Sequence, residues 1–265
     1  AGGVVDEMVV TELLSPEREA KRLTGYNEND PLLTATKELS AGQRKMFDYR
    51  RRAESRFTKW VQDKKFVQDI AGKKAREITI TGSTNKGPVQ VKITPAMRMS
   101  LYLHSLNDQN LKHISQGGIT IPNMEWYKKG DLQKALDKGV TIRLSPSQVR
   151  EITSQMTAQE RTFALAAHDY FNGMSRDEIN AVSEQLKGYS LASVENYFPI
   201  NTDKNFLKKE FDSIKQDGTI EGMGFLKERV NSANPIMLRD MNEVLDNSIK
   251  QHSKYVGLAI AVRNF

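Results

Sequence analysis

Apolar side chains recur every seven positions through residues 32–76, at Leu39, Met46, Ala53, Trp60 and Val67, and Phe57, Val61 and Ile70 widen the stripe. The stretch has no Pro and only two Gly. This pattern predicts one long helix, or two separated near Gly42, with a narrow apolar seam that packs on the same chain or on a partner helix. Ahead of it, Ser15-Pro16-Glu17-Arg18-Glu19 reads as an N-cap, a first-turn proline and early acids, and Asp30-Pro31 repeats the signal.

The period then drops to two. Glu77–Thr81 and Val89–Ile93 alternate on either side of Gly82–Pro88, which predicts a β-hairpin with a long loop. Thr94-Pro95 caps a helix carrying Met97, Leu101 and Leu106, broken at Gly117-Gly118. Ile119–Ile121 and Val140–Ile142 are short β-like runs that can pair as a second ribbon, with a helical stretch from Met124 to Lys138 between them. Ser145 caps a helix to about Met156. Thr157/Glu160 and Ser175/Glu178 read as capping boxes for helices ending at Gly173 and Gly188. Tyr189–Asn205 is irregular, a helix is expected over Gly222–Asn231, and Asn234-Pro235 opens a last long helix. That helix buries Met237/Leu238, Met241, Leu245, Ile249, His252, Val256 and Ala259. It turns Asp240, Glu243, Asp246, Lys250 and Lys254 to solvent. The fold class is mainly α, or α+β with one or two small β-ribbons: an irregular helical bundle with a long N-terminal basic helix. Residues 1–93 form an N-terminal segment with that helix and the hairpin, and residues 94–265 a helical domain.

Composition narrows the function classes. The 265 residues carry ten Phe, eight Tyr and two Trp, enough aromatic bulk for a core. No apolar run approaches the roughly 20 residues of a spanning helix, so no membrane role is expected. The absence of Cys removes disulfides, thiolate metal sites and cysteine nucleophiles. No signal peptide follows Ala1-Gly2-Gly3, and the apolar, helix-periodic Leu258–Phe265 suggests a piece cut from a longer polypeptide, the alternative being a C-terminus docked on the core.

The charge is concentrated. Residues 44–77 hold twelve Lys/Arg against five acids, a net of +7, which leaves the other 231 residues at −1. Such a segment suits nucleic-acid phosphates, with Arg44, Lys45, Arg50, Arg51, Arg52, Arg56, Lys59, Lys64 and Lys65 as candidate contacts. Phe47, Tyr49, Phe57 and Trp60 interleave with them and could stack bases. The plainer alternative makes those aromatics core and the cations a solvated helix back, or one facing an acidic partner helix.

No phosphate-binding loop, zinc-peptidase helix, EF-hand or nucleophile elbow is present. Gly82–Gly87 is a hairpin loop and opens no helix. His104 and His113, around Asn107, Asp108 and Asn110, could form a nuclease-like cluster, but a helix–turn–helix junction explains them as well. His168-Asp169 is a common pair without a motif, and His252 falls on an apolar face, where a Tyr or Asp from another helix would satisfy it. Glu160 and Glu178 have capping roles, and Glu195 is the acid whose surroundings matter most. No catalytic residue, metal ligand or cofactor site is assigned.

Three strings carry a resemblance: Met99–Asn107, Val194–Ile200, and Asn234-Pro235-Ile236 with the helix through His252. They resemble a region of the very large polyvalent proteins encoded by bacteriophages and integrative mobile elements of gut Firmicutes, over about residues 94–265. The resemblance implies a non-catalytic module in a string of modules, acting through contacts with the other modules of its parent or with a host or phage protein; the basic helix, which precedes that region, keeps DNA or RNA as the other partner class. The resemblance also implies the cytoplasm of the bacterial host, or packaging in the virion, and a setting in which such proteins counter host defence.

Overall fold

Asp30 caps the long helix: its carboxylate accepts the Leu32 N–H at 2.9 Å, and Pro31 occupies the first turn. The computed structural model describes residues 16–25, 27–72, 75–200 and 234–263. Helix α1 spans Pro16–Leu23 and α2 spans Pro31–Ser55, uninterrupted at Gly42. The seven-residue pattern does not carry the helix on to residue 76. Short turns α3 (Thr58–Val61) and α4 (Lys64–Phe66) follow, then a π turn over Val67–Ala71. Asp63 restarts the chain here by accepting the Lys65 and Phe66 N–H groups at 3.0 and 3.1 Å. Val61 and Val67 consequently turn to solvent, while Phe57, Trp60 and Ile70 stay inside.

The hairpin is present, with longer strands and a tighter turn than predicted. Strand β1 (Ile78–Thr84) pairs antiparallel with β2 (Gly87–Ile93), Thr84 opposite Gly87, so only Asn85-Lys86 form the turn. Thr94 caps α5 (Pro95–Ser105) by accepting the Met97 N–H. The helix breaks at Leu106-Asn107, before the glycines, because Asn107 caps α6 (Asp108–Gln116). The ribbon expected next forms from β3 (Ile119–Ile121) and β4 (Val140–Ile142). Between them the helical stretch divides into α7 (Met124–Lys128) and α8 (Leu132–Asp137), turning at Gly130 with φ +82°.

Ser145 and Thr157 make the capping boxes of α9 (Pro146–Ser154) and α10 (Ala158–Asp169). The third box is absent. Ser175 has helical dihedrals and caps nothing; α10 runs through a π segment, Tyr170–Ser175, into α11 (Arg176–Lys187), which ends at Gly188 in the left-handed region. The last helix starts later than predicted. Ile236–Met237 form β5, parallel to β3, and α12 is Met241–Arg263. Asp240, expected in solvent, is buried and accepts the Asn242 N–H at the head of α12 and the Tyr127 hydroxyl. The Ser15 cap, the helix over Gly222–Asn231, Lys73, Lys74 and the last two residues lie outside the described residues.

The fold is mainly α with two small sheets, one of β1-β2 and one ordered β4-β3-β5. Two large apolar clusters fill most of it, beside a small third one of Leu136 and Met237. One gathers Tyr49, Phe57, Trp60, Phe163, Tyr170, Phe171, Ile249 and Val256. The other gathers Ile80, Ile93, Leu101, Ile119, Ile142, Ile236 and Leu238. Helix α5 feeds both, with Ala96, Met99 and Leu103 in the first and Met97 and Leu101 in the second. Ile93 and Met97, on either side of the expected boundary between residues 93 and 94, share one cluster. Helices α2 and α12 cross at glycines: a Cβ on Gly42 would lie 2.7 Å from the Gly257 carbonyl oxygen, so the backbones touch.

Candidate nucleic-acid interface

Aromatic packing sets the direction of the basic segment. Phe57 and Trp60 meet Phe163 edge-on at 5.8 and 5.2 Å between ring centroids, and Phe66 meets it at 4.9 Å. Tyr49 lies three residues after Met46 and four before Ala53, and it is fully buried. That spacing puts it on the seam, as the plainer of the two sequence alternatives had it. With these rings inside, Arg44, Lys45, Arg51, Arg52, Arg56, Lys59, Lys64 and Lys65 are exposed and Arg50 is half-buried. Of the four interleaved aromatics, Phe47 alone stands out, 61% exposed.

The nine cations are not equivalent. Arg50 donates to Glu54 at 2.6 Å and Arg51 to Asp48 at 2.9 Å. Arg52 donates to Asp48 and forms a two-pronged pair with Glu178 of α11 at 2.6 and 3.1 Å. The Glu178 bond, more than any other contact, pushes the Arg52 guanidinium up, and Arg51 followed by Arg52 holds the Asp48 carboxyl below the usual range. Glu178 is thus a tether between α11 and α2, a role that the sequence did not disclose. Lys59 lies over the Trp60 ring at 4.0 Å. Arg44, Lys45, Arg56, Lys64 and Lys65 have no carboxylate at ion-pair distance among the described residues.

The four histidines occupy separate places. His104 is buried edge-on against Phe198, 4.8 Å between centroids, and burial pushes its imidazole down to about 3. His113 bonds the Asn234 carbonyl oxygen through Nε2 at 2.7 Å. His168 bonds Asn196 Oδ1 at 3.0 Å, and its Nδ1 lies 3.7 Å from Asp169, too far for a hydrogen bond. His252 is buried in a network in which Nδ1 is 2.6 Å from Ser175 Oγ and 3.2 Å from the Tyr170 hydroxyl, itself 3.1 Å from the Tyr49 hydroxyl. A tyrosine from another helix does serve it, and burial pushes it too down to about 3. Asn107 and Asn110 form the junction between α5 and α6, where Asn107 Nδ2 donates to the Glu195 carbonyl. Among the described residues no three His, Asp or Glu side chains converge as metal ligands. No described helix is long and apolar enough to cross a membrane.

One buried ion pair escaped the sequence. Arg98 donates to both Glu160 oxygens at 2.8 and 2.6 Å, while Glu160 accepts the Thr157 N–H in its capping box. A small cleft lined by Phe171, Arg176, Ala192, Val194 and Tyr197 opens beside the π segment. No protein family, curated protein or solved structure matches the chain.

Proposed function

We propose that this chain is a non-catalytic helical module that acts through its surface, in the setting that the resemblance implies: one segment of a phage or mobile-element polyvalent protein, held against its other modules or against a host or phage protein. One observation carries the reading. The side chains best suited to chemistry are engaged in holding the fold, each at a different place: His252 with Ser175 and Tyr170, His113 and His168 at loop anchors, and Glu160 with Arg98 and a helix cap. Exposed apolar side chains remain at Leu23, Leu32, Val61 and Val262. Photo-crosslinking residues placed at these four positions in the full-length parent are expected to give discrete adducts that controls on the polar face of α12, at Asp246 and Lys250, do not give. Equal labelling at all six positions contradicts the reading.

A second reading, nucleic-acid binding through Arg44–Lys65, is favoured by the five basic residues that have no carboxylate at ion-pair distance among the described residues. It predicts affinity for arbitrary DNA that falls with salt at a slope of about −0.9 per duplex phosphate neutralised. No binding at low salt contradicts it.

A further inference from the structure

Phe47 sits in the middle of α2 with its ring outside the core and with no other ring or cation on it among the described residues. Arg44 lies three residues before it and Arg51 four after, the spacings that place side chains side by side on one helix face. Both arginines are exposed. Two acids border this face: Asp48 is shared by Arg51 and Arg52, and Glu54, three residues after Arg51, accepts from Arg50, while Arg44 has no carboxylate at ion-pair distance among the described residues. The opposite face of α2 is fixed: Tyr49 and Ala53 are buried, and α12 presses on Gly42 and Met46. The face therefore presents a flat apolar ring between two planar cations on a rigid support.

That combination is complementary to a polyanion whose bases are free. Phosphates satisfy guanidinium groups, and an unpaired base offers a π-face to a phenyl ring, whereas in a duplex the base faces are already stacked on one another. We infer that the Arg44–Phe47–Arg51 ridge binds single-stranded nucleic acid, with Phe47 stacking on a base and the two arginines holding the flanking phosphates. This rests on the second reading above, and it specifies the substrate class and the residue that selects it.

The test is fluorescence anisotropy of the intact chain with labelled oligo-dT, oligo-U and a duplex of equal length, each titrated with salt. Both single strands are expected to bind more tightly than the duplex, because stacking does not read the sugar. Phe47→Ala, at an exposed position, is expected to keep the melting temperature and lower single-strand affinity at least about five-fold without changing the salt slope. Arg44→Gln with Arg51→Gln is expected to flatten that slope by about 0.7 per lost contact. Duplex binding as tight as single-strand binding, or Phe47→Ala binding as well as the parent, overturns the inference and leaves the second reading standing. No binding of any oligonucleotide at low salt overturns both.

Discussion

His104 and His252 are the residues whose burial has the clearest chemical consequence. Both are held neutral with imidazoles near 3, whereas an unfolded chain protonates them near 6.5. Their folded values are depressed, so the unfolded state takes up more protons in acid. Stability is complete above about pH 6.5 and is lost as pH falls from there toward 3, by roughly 1 kcal/mol per pH unit for each imidazole. Denaturation at pH 7, 5.5 and 4.5 should show the decline, and His104→Phe should make it shallower; an unchanged slope contradicts the assignment. Arg98→Ala tests the buried pair. It strands the Glu160 carboxylate and should cost roughly 3–5 kcal/mol, read as a shift in denaturant midpoint. A partner for His252 was foreseeable, because a histidine on an apolar stripe needs one. Arg98 was invisible, since a lone cation on a helix signals nothing until the opposing helix is placed. Tyr49 was legible from its three-and-four spacing to Met46 and Ala53, which is the core position the plainer alternative assigned it.

At the scale of elements, boundaries followed side-chain chemistry wherever that chemistry is local. Asp30, Thr94, Ser145 and Thr157 cap the helices that their spacing announced, because a cap needs only its own next three residues. Ser175 has the same spelling and caps nothing, since its hydroxyl is taken by His252 some 77 residues away. The two-residue strand Ile236–Met237 was equally hidden, because only its parallel pairing with β3 distinguishes it from the first turn of a helix. The crossing of α2 and α12 depends on glycine at Gly257, where an added Cβ would fall 2.5 Å from Met46 Cβ and 2.6 Å from the Gly42 oxygen. Gly257→Ala should therefore cost roughly 1–3 kcal/mol by forcing the helices apart, measurable by thermal denaturation. Gly173→Ala, with open space around its added Cβ, is the matched control and should not destabilise.

At the scale of the whole molecule, segments far apart in sequence share one interior. Helix α2 packs on α12, β3 pairs with both β4 and β5, and α5 contributes to both apolar clusters. The proposed reading assigns function to surfaces, chiefly the outward face of α2 and the scattered exposed apolar positions. The sequence showed the helical class, the hairpin and the ribbon, whose signals are periodic. It could not show which faces meet, because heptad spacing is equally compatible with a partner helix. The two tryptophans report on the two clusters separately: Trp60 lies within the first and Trp126 packs against the second. Urea unfolding of Trp60→Phe and Trp126→Phe, each referenced to the stability of its own variant by far-ultraviolet circular dichroism, measures whether the clusters melt together. A shared interior predicts that each fluorescence transition coincides with the circular-dichroism transition of the same variant. A Trp60 transition clearly separated from a Trp126 transition, each departing from its own circular-dichroism curve, would contradict it.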